Sequence, residues 1–312
     1  MQFNSQTWLR IKVSSTYDGH RDFVKLFQLR KYVEATSKNI LFDLSDCKFL
    51  KQNAVALLAG IIRTIENQGR QAQIDWHTCD GKVARNLIKN QFRAHFGPEI
   101  RRAHWSGNSI PFRHDIEKNK QAILSYLLER WLGPKWISLS DALGAEIAGV
   151  VWEIYENAFT HAESEIGVFT CGQHFPNKKQ LSLTIADFGT GIAAQVQSFY
   201  SRYLFRLPFR ADVEEAFDIM TESQSALKWA FQKGNSTKNR KTGGLGLHCL
   251  KELIRLNNGS MIVFSNDSYV KISALGEQYY RHNADFKGTV VNITFICDAH
   301  EKRYTLASEK NL

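Results

Sequence analysis

The sequence predicts a mixed α/β (α+β) protein made of two unequal parts, and three observations predict it. Residues 1–104 alternate short apolar runs with helical-period stretches, the pattern of a small sheet with helices packed on it. Residues 138–298 open with a long helical stretch and continue through five strand-like segments interrupted by glycine-rich turns, as expected of a second sheet-and-helix unit. Across the 312 residues, 43% are apolar and 12% aromatic, enough to bury two cores. Residues 105–137 read as a helical connector and 299–312 as a polar tail.

In the first part, Thr7 to Val13 alternates as a strand, and Asp18 to Ala35 carries Phe23, Leu26, Phe27, Leu29 and Val33 at helical spacing. Asn39 to Leu44 is a short buried-strand pattern. Asn53 to Gln68 reads as an amphipathic helix stopped by Gly69, Gln71 to Trp76 as a strand, and Gly81 to Phe92 as a helix ended near Gly97-Pro98. Arg101 to Arg113 is connector-like, with a short strand at Ser109 to Arg113, and Asp115 to Leu132 is helical up to Gly133-Pro134. His114 is expected on the surface near the start of that helix.

The second part begins at Ser140-Asp141, a cap for a helix running through His161. Strands are expected at Ile166 to Cys171, Leu181 to Ala186, Met261 to Phe264, Tyr269 to Ser273 and Gly288 to Ile296. Ala193 to Lys241 is long and mixed, with an aromatic and basic run from Phe199 to Arg206 that is expected to pack on its own domain, and a helical stretch at Ala226 to Phe231. Gly243 to Leu247 opens a helix that Asn258-Gly259 ends.

Several function classes are set aside at this level. No apolar run approaches a membrane span, and Met1 to Ser5 lacks the regions of a secretory signal, so a cytoplasmic protein without membrane contact is expected. The five cysteines are dispersed and lack C-x-x-C spacing, which argues for reduced thiols rather than disulfides or zinc. The net charge of +9 is concentrated at one end: residues 1–104 hold 17 Lys and Arg against 9 Asp and Glu. Dispersed charge of this kind serves solubility first and a nucleic-acid partner second.

Three blocks carry the chemistry. Glu153, Asn157 and His161 recur every four residues and fall within about 80° of one another on a helix, beside an apolar stripe of Ile147, Val151, Ile154 and Ala158. Asp187-Phe188-Gly189-Thr190-Gly191-Ile192 ends an apolar strand, where glycines permit a tight turn and close approach of the backbone to a ligand. Thr242-Gly243-Gly244-Leu245-Gly246-Leu247 opens a helix, a natural cradle for phosphate because free amides and the positive helix end both favour an anion.

In this order and separation the blocks resemble the Bergerat, or GHKL, ATP-binding domain of histidine kinases, type II topoisomerases, heat-shock chaperone ATPases and MutL, over residues 140–297. The resemblance implies an ATP-binding α/β sandwich with a lid. It implies that Asn157 ligates Mg²⁺ bridging the phosphates, that Glu153 is the catalytic group acting on water or a hydroxyl, and that Asp187 accepts a hydrogen bond from the adenine amine. Gly189, Gly191 and Ile192 would shape the pocket wall, Gly243, Gly244, Leu245, Gly246 and Leu247 would wrap the phosphates, and Thr289 would support Asp187. His161 occupies a position often close to the phosphates. Asn235-Ser236-Thr237-Lys238 resembles the end of an ATP lid, with Lys238, Arg240 and Lys241 as cations for the γ-phosphate.

A looser resemblance covers residues 5–97, where the succession of strand, Leu41 to Leu50, helix, Gly69 to Trp76 and helix is similar to a STAS domain. Where phosphorylatable members carry Asp-Ser, this chain reads Phe49-Leu50-Lys51-Gln52-Asn53-Ala54. A docking surface is therefore implied, and a phospho-switch is not. Together the resemblances lead to an Mg-ATP-binding regulatory protein that hydrolyses ATP slowly, passes the nucleotide state to a protein partner, and is compatible with a homodimer. Two alternatives stay open: a serine/threonine protein kinase of the anti-sigma factor kinase type, and a non-catalytic ATP-binding module contacting nucleic acid through the N-terminal domain.

Overall fold

Alternating strand and helix in the N-terminal third produces a parallel sheet. The structure, a computed structural model, describes residues 7–17, 19–98, 107–133, 136–203, 213–232, 234–235 and 246–297. Strands β1 (Trp8–Lys12), β2 (Asn39–Asp43) and β3 (Ala72–Asp75) lie side by side in that order, joined by helices α1 (His20–Glu34) and α2 (Gln52–Asn67). Right-handed crossovers that step the same way put both helices on one face. That face carries Ile40, Phe42 and Ile74, while on the other Arg10 bridges Asp43 at 3.0 Å and Asp75 at 2.9 Å. Helices α3 (Gly81–Lys89) and α4 (Phe92–Phe96) follow.

The remainder builds a second sheet. It comprises β4 (Ser109–Asp115), α5 (Lys120–Tyr126) continued by a π-helical stretch at Leu127–Leu132, α6 (Asp141–His161), β5 (Val168–Phe175), β6 (Gln180–Asp187), α7 (Ile192–Tyr203), α8 (Val213–Thr221), α9 (Ser223–Ala230), α10 (Gly246–Leu256), β7 (Ser260–Ser273) and β8 (Gly276–Ile296). The strands pair antiparallel in the order β4-β5-β6-β8-β7. The protein is thus mixed α/β, with a three-stranded parallel and a five-stranded antiparallel sheet.

The two parts share a core. One face of the large sheet meets α6, α10 and the π-helical stretch around Leu183, Ile185, Ile147 and Trp131. The opposite face meets α1 and α2, so the layers run sheet, helices, sheet, helices, and one apolar cluster joins Phe27, Leu57 and Ile61 to Phe169, Phe188 and Phe286. Helix α2 is therefore buried from Gln52 through Ile62 and again at Ile65, where an amphipathic helix was expected. A helix between two sheets has no solvent face to keep polar. Aromatic rings cross the whole interface: His114 on Phe169 at 4.4 Å, Phe169 to Phe188 at 5.5 Å, Phe188 to Phe286 at 5.4 Å, Phe286 to Phe27 at 4.4 Å and Phe27 to Phe264 at 5.3 Å.

Other local readings are borne out in part or corrected. The short strand expected at Ser109 to Arg113 forms and runs on to Asp115 as β4, an edge strand of the large sheet; Ile110 is buried in the cluster around α6 and Phe112 in the cluster around α2, with the register shifting between Ile110 and Arg113. His114 belongs to this strand and not to a surface helix start; its Nε2 lies 2.7 Å from the Ile166 carbonyl oxygen, and burial pushes its pKa down. The two strands expected at 261–264 and 269–273 are one strand, β7, irregular in register between Ser265 and Ser268. Much of the mixed segment after Ala193 is helical in α7, α8 and α9, and Tyr200 packs edge-on against Trp229 at 5.5 Å, while residues 204–206 of the aromatic and basic run lie outside the described residues. Of the cysteines, Cys47 and Cys171 are buried free thiols, and Cys297 is buried.

Candidate functional site

The long helix of the first block forms as read. Ser140 caps it, its Oγ accepting from the Leu143 amide at 3.2 Å, and Ile147, Val151, Ile154 and Ala158 are buried. Glu153, Asn157 and His161 line the next face and are half-buried. Among the described residues no protein group hydrogen-bonds to the Glu153 carboxylate or the Asn157 amide.

The end of this helix meets the turn of the second block. The Thr190 amide donates to the Ala162 carbonyl at 2.6 Å, and the Thr190 hydroxyl does so at 3.2 Å. Gly189 is required by this approach, since a Cβ there would stand 1.7 Å from the Ala162 carbonyl oxygen. Asp187 precedes the turn, 5% exposed, and is paired across the sheet with Thr289. Its Oδ1 accepts from the Gly189 amide at 3.1 Å and the Thr289 amide at 3.2 Å. Neither amide reaches Oδ2. Burial pushes the Asp187 carboxyl up to about 6, against the lowering effect of those two bonds, of the Thr289 hydroxyl and, least, of Arg30.

The Gly189 and Thr190 amides are therefore engaged within the protein, and the turn's glycines serve close packing. The same holds for the start of α7. Ile192 is its first residue and packs partly buried against the core, while the Ala193 amide donates to Ser265 Oγ at 3.1 Å and the Ala194 amide to Asn266 Oδ1 at 3.1 Å. Asn266 Nδ2 returns a bond to the Thr190 carbonyl at 3.1 Å, beside Gly191. These caps come from the irregular segment of β7, so no local sequence signal announces them. Ser265→Ala should lower stability by about 1 kcal/mol, a few degrees of melting temperature measured by calorimetry.

The structure thus brings the end of α6, the 187–191 turn and Thr289 together. Gly246 and Leu247 open α10, which packs on α6. Lys238, Arg240, Lys241, Gly243, Gly244 and Leu245 lie outside the described residues. No group of three or more His, Cys, Asp or Glu able to hold a metal ion occurs among the described residues, so a cation at Asn157 would need oxygens from a ligand or water to complete its shell. No helix among the described residues is long and apolar enough to cross a membrane.

Sequence reasoning missed Arg30, Phe188 and the Ser265-Asn266 pair. Arg30 carried a usable signal, a charge on the apolar stripe of α1 between Phe27 and Val33. No model of a known protein family matches this chain, and neither does any curated protein.

Proposed function

We propose that this protein binds Mg-ATP on the α6 face of its large sheet and hydrolyses it slowly, the nucleotide state being passed to the N-terminal unit. The observation that carries this reading is Asp187: a buried carboxylate at a strand end, with Oδ1 held by two backbone amides and Oδ2 outside that cradle. A buried acid with a raised pKa beside a helix-and-turn junction is a costly arrangement for a fold alone, and such residues concentrate at functional sites. The antiparallel sheet carrying α6 and α10 on one face agrees with the Bergerat resemblance, as the parallel sheet with two helices on one side agrees with the STAS resemblance.

In this reading Asp187 accepts a hydrogen bond from the exocyclic amine of adenine. Thr289 and Gly189 hold its carboxylate in one orientation. Asn157 offers an amide oxygen to the cation, a hard donor suited to Mg²⁺, and Glu153, four residues earlier on the same face, orients the attacking water and takes its proton. Mg-ATP, when bound, supplies the phosphoanhydride bond and the charge neutralisation for its cleavage. The glycines of the 243–246 stretch and a lid cation, Lys238 among the candidates, would surround the phosphates.

The test is calorimetric binding of Mg-ATP together with phosphate release. Asn157→Ala should abolish the Mg²⁺-dependent part of binding, and Glu153→Ala should bind ATP while losing turnover by about 10²-fold or more. Phosphate appearing on a protein instead of in water would move the assignment to a kinase. Absence of binding at millimolar ATP would reject it.

A further inference from the structure

The residues that flank Asp187 are held from the far side of the sheet as well. Arg30 projects from α1 and is 7% exposed. Its guanidinium lies 4.8 Å from the centre of the Phe188 ring and 5.0 Å from that of Phe286, donates to the Lys287 carbonyl, and pairs through Nε with Glu34 at 2.8 Å. These contacts fall on the two chain segments that frame Asp187. Phe188 is the next residue, and Lys287 stands two before Thr289, whose amide holds Oδ1.

The charge is the informative feature. A methionine or leucine could fill a gap between two phenyl rings without the desolvation that a buried guanidinium suffers. Here the guanidinium satisfies a carbonyl of β8, lies over two rings, and favours the ionised form of Asp187. The other titratable groups near the turn are Glu34, paired with Arg30; the exposed Lys287; and His161, which precedes the Ala162 carbonyl that holds Thr190.

We propose that Arg30 is a positioning residue for the base-recognising carboxylate, tying α1 to Phe188 at the end of β6 and to the β8 backbone at Lys287, on either side of Asp187, so that packing of the N-terminal unit sets the affinity for adenine. The proposal rests on the nucleotide reading of the site. It gives a partner docked on the N-terminal unit a direct physical route to the base subsite, because any shift of α1 changes the grip on Phe188 and Lys287.

The experiment uses the full chain with Arg30→Met, which keeps the stem and loses the charge, and Arg30→Lys, which keeps the charge and loses the fork. Binding of Mg-ATP and of Mg-complexed inorganic triphosphate is measured for each, and the Asp187 carboxyl is titrated by carbon NMR in the ligand-free protein. Arg30→Met should weaken ATP about tenfold while leaving triphosphate within about twofold, since only the base contacts Asp187. Its Asp187 titration should move upward, with Arg30→Lys restoring that titration and only part of the ATP affinity. Equal losses for ATP and triphosphate, or an Asp187 titration that Arg30→Met leaves in place, would overturn the proposal. If wild type binds neither ligand the nucleotide reading fails, whereas the ligand-free titration still decides whether Arg30 acts on this carboxylate.

Discussion

Asp187→Asn should make the ligand-free protein more stable at pH 8 while abolishing adenine-nucleotide binding. The carboxyl titrates near 6 in the folded protein because burial penalises its charge, against an ordinary value near 3.9 when unfolded. Folding therefore favours the protonated acid. The contribution to stability is full below the unfolded value, is lost as pH rises through about 6, and stays lost above it. The gap corresponds to at most about 3 kcal/mol at pH 8. Asparagine can still accept through Oδ1 from Gly189 and Thr289 but carries no charge, so denaturant unfolding should show a gain of roughly 1–3 kcal/mol at pH 8 that vanishes near pH 4. Its amide would also present a donor where the adenine amine needs an acceptor, which should weaken ATP binding by at least about 10²-fold. A residue that destabilises the empty protein and is needed for the ligand is the mark of a site. A variant destabilised at every pH, with ATP affinity intact, would show that Asp187 is only a structural link between β6 and β8.

Phe188→Ala should cost about 3–5 kcal/mol, as for other buried aromatics cut to alanine. The ring lies against Phe169, Phe286 and Arg30 and fills the notch at Gly60 of α2, where an added Cβ would stand 1.9 Å from the ring. Gly60→Ala alone should therefore destabilise by about 2–4 kcal/mol through overpacking, although alanine is the better helix former. The double variant should be less unstable than the sum of the two by at least about 1 kcal/mol, since the new methyl enters space the ring has vacated. Urea unfolding of the four proteins measures this cycle. Strict additivity would mean that α2 does not bear on the turn, and the N-terminal unit would then lack this contact with the proposed site.

The two halves of the site were unequally legible in the sequence. The 3.6-residue period of α6 placed Glu153, Asn157 and His161 on one face beside a buried stripe, and strand alternation put Asp187 at the end of β6; both follow from local geometry. The caps on α7 come from Ser265 and Asn266, more than seventy residues away in the chain, and no local pattern encodes a partner at that separation. Nor could periodicity tell that the 109–115 segment joins the large sheet, because strand pairing depends on which edge is open when the chain collapses.

By itself, then, the sequence determined the identity and order of most elements, the shared polar face of α6, and the placing of a carboxylate before a glycine turn, since all of these rest on backbone periodicity and on residues a few positions apart. Only the tertiary structure decided that α2 lies between two sheets, that Phe188 points away from Asp187 into that layer, and that Arg30 of α1 holds Phe188 and the β8 backbone at Lys287 on either side. Such contacts join residues whose proximity comes from the packing of layers, where shape and desolvation across long chain separations choose the neighbours.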